Sequence, residues 1–165
     1  MNWVGASIEN LPLHSPQAFS ALQLLRQVAP RLADDFAGLG IVFYDSLAAL
    51  PHLPLEVGGD EHFELPVTGF EAICPVIVRT SRRSSQWHDG FHFIHADSAS
   101  LTHLCQFIAP PLPAAPATLP RASGARHMTA LLASRVDGIA AIGLLTHERE
   151  LSVYEGGLRT VRDTL

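Results

Sequence analysis

The chain has 165 residues, 47% hydrophobic and only 16% charged, a balance that excludes an intrinsically disordered polymer and predicts one compact domain over residues 1–165. A formal net charge of -5 argues against a general electrostatic grip on duplex DNA, while a small phosphate ligand needs only a local basic spot. No apolar run approaches the roughly 20 residues that cross a bilayer, and the start lacks a basic stretch followed by an apolar one, so the expectation is a cytoplasmic protein with no membrane partner.

From Ser15 to Phe36 the apolar residues Phe19, Leu22, Leu25, Val28, Leu32 and Phe36 recur at three- and four-residue intervals, and Pro16 stands where a first helical turn tolerates it. This predicts an amphipathic helix with a break near Pro30, in an N-terminal segment 1–37 that precedes a core over 38–157. Ile41-Val42-Phe43-Tyr44 has the β-branched and aromatic content of a buried strand. Residues 46 to 65 mix Pro51, Pro54, Gly58 and Gly59 with acidic groups and read as a loop with one short helical turn. Phe70 to Val78 is apolar but interrupted by Pro75, and the polar run after it leads into Asp89-Gly90.

Phe91–His95 and Leu101–Ile108 read as two strands joined around Ala96–Ala99, followed by a Pro- and Ala-rich loop from Pro110 to Pro120 that lies outside the core. Gly124 opens a helix whose apolar positions are Met128, Leu131, Leu132 and Val136; Ile139–Leu145 and Leu151–Tyr154 follow as strands. The last eight residues read as a frayed tail or a short helix. The order gives an α/β (α+β) domain, a mixed central β-sheet flanked by helices.

All eleven basic residues are arginine, which suits bidentate binding of phosphate and is explained equally well by a biased genome. Cys74 and Cys105 stand in apolar surroundings with no CxxC pairing and read as reduced core residues.

Two segments carry candidate chemistry. In Ser84–Phe91, His88 and Asp89 stand immediately before Gly90, a nitrogen and an oxygen ligand side by side that suit a divalent metal; an Asp-Gly pair is also an ordinary hairpin turn. In Ser123–Thr129, a helix start offers free backbone N–H groups and the positive end of a dipole to phosphate oxygens, with Arg126 adding a charge-assisted bond; the alternative is a plain cap with Arg126 and His127 in solvent.

Their order, His-Asp-Gly before a strand, a Pro-containing loop, Gly-x-Arg-His opening a helix, then two strands, resembles the diadenylate cyclase domain, whose pattern is Asp-Gly-Ala, then Gly-Thr-Arg-His-Arg, then a strand end containing Ser-Glu. The resemblance spans roughly residues 38 to 157. It implies a homodimer or higher homo-oligomer in which two ATP-loaded sites face each other and two ATP condense to cyclic di-AMP with release of pyrophosphate. It further implies Asp89, Arg126 and His127 as catalytic residues, and His88 with Asp89 as ligands of Mg²⁺ or Mn²⁺. Gly90, Phe91, Gly124, Ala125, Thr129, Thr146 and Glu148 would contact the nucleotide.

The pattern breaks in all three of its parts. Phe91 replaces an alanine, so a large ring would project beside the metal or the base. Met128 replaces the second arginine of Arg-His-Arg, Ala125 replaces threonine, and Thr146-His147-Glu148 replaces a Ser-Glu-Glu run. These departures support a second expectation, a catalytically degenerate nucleotide-binding sensor of the same fold. A third, a metal hydrolase built on His88, His92 and His95, suffers from strand alternation, which sends His92 and His95 to opposite faces.

Overall fold

Leu39–Tyr44 forms β1, and all six of its residues are buried, which requires cover on both faces of the sheet it belongs to. The structure, a computed structural model, describes residues 20–115 and 118–165. β1 pairs in parallel with β4 (Phe91–His95) and antiparallel with β6 (Ile139–Leu145). Outward from β4 lie β5 (Ser100–Ile108) and then β2 (His52–Pro54), with β3 (Val67–Thr68) also on β5; outward from β6 lie β7 (Glu150–Glu155) and β8 (Leu158–Thr164). The described residues form an eight-stranded mixed sheet in an α+β domain.

Among the described residues, three α-helices cover it. On one face α1 (Ala21–Val28) and α2 (Phe70–Thr80) pack Leu24, Leu25, Val28, Ile73 and Ile77 onto Ile41, Phe43 and Ile94. On the other, α3 (Ala125–Ala133) packs Ala130 and Leu131 with Val42, Phe93, Ile142 and Tyr154. Ser20 caps α1, its side chain accepting from the Gln23 N–H at 3.2 Å.

Several elements differ from the sequence reading. The N-terminal helix is described only from Ala21; Pro16 and Phe19 lie outside the described residues. The break at Pro30 is a turn of 3-10 helix over Ala29–Arg31. β2 stands where a helical turn was expected, because His52–Pro54 pairs with the outer edge of β5. α2 runs through Pro75, whose ring removes only one main-chain bond while Ile73, Cys74 and Ile77 are fully buried, so packing outweighs the break. The last eight residues are neither tail nor helix: Gly156 (φ +57°) and Gly157 (φ +82°) supply the two positive-φ positions of a tight hairpin, and β8 folds back on β7 past the expected boundary at 157. Cys74 and Cys105 are free and buried, as read.

His92, only 2% exposed, ties β4 to α2 and β5. The Cys105 N–H donates to Nδ1 at 3.0 Å, so Nε2 bears the ring proton and donates to Thr80 Oγ1 at 3.1 Å; Thr80 in turn donates to the Val76 carbonyl at 2.9 Å. With both ring nitrogens occupied in the core, His92 cannot serve the hydrolase reading. Burial, reinforced by the charge of Arg126, pushes its pKa from 6.5 down to about 3. The unfolded chain therefore takes up a proton below pH 6.5 that the folded ring refuses. This group's contribution to stability is whole above 6.5 and is lost as the pH falls toward about 3, at about 1.4 kcal/mol per pH unit. Urea denaturation at successive pH values from about 7 to 4.5 should show this slope, and His92→Gln, which keeps a donor and an acceptor, should flatten it.

Candidate functional site

The N-terminal ends of β1 and β4 and the C-terminal end of β6 lie together, because β1 is parallel to β4 while Leu39 pairs with Leu145. Gly38, Gly90 and Thr146 therefore stand at one end of the sheet, and the first turn of α3 faces them.

Gly90 is fixed by local geometry. Its φ is +71°, and a Cβ there would lie 2.6 Å from the Gln106 carbonyl oxygen, so no other residue fits without strain. That carbonyl is brought beneath Gly90 by an irregularity in the β4–β5 pairing, where Cys105 itself adopts a left-handed φ of +53° and its carbonyl accepts from the Leu55 N–H at 2.9 Å. Asp89 is thereby held at the rim with its side chain 73% exposed. His88 Nδ1 lies in hydrogen-bond contact with the Ser85 carbonyl, so it is the donor, and Nε2 is left with its lone pair 3.9 Å from Asp89 Oδ1. Adjacent ligands of one octahedral cation lie roughly 3 Å apart, so the exposed Asp89 carboxylate would have to turn toward the ring to share one, and a carbonyl behind the imidazole is the usual support of a histidine ligand. Among the described residues no three His, Cys, Asp or Glu side chains form a metal cluster, so phosphate or water oxygens would have to complete the shell.

Phe91 does not project as a free ring. It is 6% exposed, and its ring lies over Gly40, where a Cβ would come within 2.7 Å of it. The extra bulk relative to alanine is absorbed by the core, and only part of the residue reaches the recess of about 240 Å³ that Asp89, Gly90 and Thr129 also line.

α3 begins at Gly124, which offers no side-chain cap, so the first N–H groups of the helix, among them those of Ala125 and Arg126, have no intrahelical acceptor. Arg126 is half-buried, and its Nη2 donates to the Gly90 carbonyl at 3.4 Å. Among the described residues no carboxylate lies within ion-pair distance of it. Burial depresses its pKa, and the charge of Asp89 opposes that shift. A desolvated guanidinium with only a carbonyl for company is poised for an anion.

His127 looks the other way. Its Nδ1 is 2.7 Å from the Tyr154 hydroxyl, and burial is the chief reason that its pKa is lowered and that of Tyr154 raised. Thr146 Oγ1 accepts from the Glu150 N–H at 3.1 Å and so closes the β6–β7 hairpin, at whose tip Glu148 is exposed. His127, Thr146 and Glu148 all line a larger cavity of about 440 Å³ on the far side of the α3 turn from Asp89. Met128 packs against the core cluster of that face.

The expected site residues thus form two groups separated by the α3 turn: His88, Asp89, Gly90, Phe91 and Thr129 on one side, His127, Thr146 and Glu148 on the other. Arg126 lies between them, and it lines a small recess with His127 and Thr146. Sequence reasoning missed Tyr154, Glu150, Arg159 and Arg162, which line the larger cavity. The Gly156-Gly157 pair between two β-rich runs was the signal for the strand that carries the two arginines.

Gly90→Ala should cost about 2–4 kcal/mol through strain and overpacking, whereas Asp89→Ala, at an exposed rim, should change stability by less than about 0.5 kcal/mol; urea denaturation of both variants checks this.

No known family description matches the chain, and no curated protein matches it. Similar folds occur among solved structures. A hypothetical membrane spanning protein from Bacillus cereus superposes with a TM-score of 0.59 at 16% identity, over 87% of this chain. This chain covers only 61% of that protein. A double mutant of DacA from Staphylococcus aureus superposes with a TM-score of 0.50 at 16% identity, over 88% of this chain and 83% of DacA. No described helix of this chain is long and apolar enough to cross a membrane. At such identity the likeness is one of architecture, and this chain has an α+β fold like that of DacA.

Proposed function

We propose that this protein binds ATP and, as a homodimer with two sites face to face, condenses two ATP into cyclic di-AMP. The observation that carries the reading is Arg126, half-buried, without a carboxylate partner, and bonded to the carbonyl of the glycine that follows Asp89.

Each condensation forms a bond from a ribose 3′-oxygen to the α-phosphorus of the other nucleotide and breaks the bond from that phosphorus to the bridging oxygen of pyrophosphate, which leaves. Asp89, exposed at the rim, accepts the hydrogen bond of the attacking hydroxyl and receives its proton for delivery to water. Arg126 neutralises charge that builds on the phosphate oxygens, more effectively for being withdrawn from solvent. The N–H groups of Ala125 and Arg126 add fixed donors. Gly90 allows close approach of the nucleotide, Thr129 lines the same recess, and the buried body of Phe91 forms part of its floor. A divalent cation, Mn²⁺ or Mg²⁺, held by His88 Nε2 and Asp89, would supply charge neutralisation for the phosphates; the imidazole favours Mn²⁺, since Mg²⁺ prefers oxygen ligands.

A second reading, nucleotide binding without turnover, is favoured by Met128, which lies against the core where the related motif has a second arginine. Incubation with ATP and Mn²⁺ followed by mass spectrometry separates the two. The cyclase reading expects cyclic di-AMP from the natural protein and none from Asp89→Ala at unchanged melting temperature. The sensor reading expects no product but a stabilisation of about 2.7 kcal/mol at a hundredfold excess of ATP over its Kd. Neither product nor stabilisation would overturn both.

A further inference from the structure

The cavity of about 440 Å³ between α3 and the β7–β8 hairpin has a wall that the catalytic motifs do not explain. β8 contributes two guanidiniums to it, from Arg159 and Arg162. Three residues apart on a regular strand, they would point to opposite faces of the sheet. The pairing shows why they do not: Arg159 stands opposite Tyr154 and Arg162 opposite Ser152, while Val161 already faces Val153, so Thr160 is an extra residue in a bulge. The bulge returns both arginines to the face that carries Glu150, Tyr154 and α3.

Glu150 holds the pair in place. Its Oε1 is 3.7 Å from Arg159 Nη1 and its Oε2 is 3.3 Å from Arg162 Nη2, so one carboxylate braces two cations and leaves an excess of positive charge. Arg121 adds a third guanidinium from the loop before α3, against the single further carboxylate of Glu148. The Tyr154–His127 bond closes the inner wall, and burial lowers the pKa of His127 and raises that of Tyr154. The volume falls within the range of small-molecule sites.

We infer that this cavity seats the oligophosphate chain of the nucleotide, with Arg159 and Arg162 as its principal binding groups. The inference rests on the nucleotide-binding reading above and adds to it a source of charge where Met128 supplies none. The arginines recognise phosphate oxygens by forked, charge-assisted bonds, and the nucleoside end of the ligand lies toward the Asp89 recess.

Calorimetric titration of the full chain with inorganic tripolyphosphate, which has no nucleoside and no reactive hydroxyl, tests the cavity apart from the chemistry. Binding should be salt-dependent, and Arg159→Ala and Arg162→Gln should each weaken it at least about tenfold, while Arg83→Ala, at an exposed site away from the cavity, leaves it unchanged. The two point variants lie on an exposed edge strand, and their folding is checked by thermal melting. Tripolyphosphate affinity untouched by either arginine variant, or no binding at all, overturns the inference. If cyclic di-AMP is nevertheless formed, the cyclase reading stands without it. If tripolyphosphate binds through the two arginines and no product forms, the phosphate seat stands and the cyclase reading is lost.

Discussion

The parallel pairing of β1 with β4 is the constraint on which the candidate site depends. It sets Gly38 and Gly90 at the same end of the sheet, and because β6 runs antiparallel to β1 on the other side, Thr146 arrives at that end as well. A parallel pair cannot be joined by a hairpin, so the intervening chain must cross over, and α2 is the crossover that covers one face. α3 covers the other face, and its N-terminus points at the end where the strand ends meet. The proposed ligand end of this sheet lies at the amino ends of β1 and β4, the one parallel pair among the described strands, whereas the carboxyl-end rule belongs to fully parallel α/β sheets.

Charge is scarce and its placement is selective. Most of the ion pairs, such as Arg26 with Asp163 and Arg82 with Asp35, lie at the surface, where they contribute little to stability. Arg126 is the contrast: it lies half-buried near His92 and depresses the basicity of that ring, and it offers its remaining donors to whatever occupies the gap between β4 and α3. On the proposed reading, the two recesses on either side of α3 would divide the work of a nucleotide site, with the Asp89 carboxylate on one side and guanidiniums on the other.

Much of the core was legible because its segments bury one pattern of residues whatever their partners. Ile41–Tyr44 and Phe91–His95 are rich in β-branched or aromatic residues and Ile139–Leu145 is an unbroken apolar run, and they became the three central strands. α2 was not legible, since Pro75 interrupts the local pattern and only burial of Ile73, Cys74 and Ile77 between α1 and the sheet outweighs it. β8 was missed for a related reason: its residues are polar and exposed, and a polar edge strand has no hydrophobic alternation to announce it.

The sequence by itself determined the chemistry available: Asp89 beside a glycine, Arg126 and His127 at a helix start, and arginine as the sole basic residue type besides histidine. These follow from residue identity and short spacing, which need no fold. Only the tertiary structure decided how they are shared out. A helical turn sends Arg126 toward Gly90 and His127 toward Tyr154, the ring of Phe91 disappears over Gly40, and one extra residue in β8 turns Arg159 and Arg162 onto a common face. Those outcomes depend on strand register and on contacts between segments far apart in the chain, and neither is written in any local stretch of sequence.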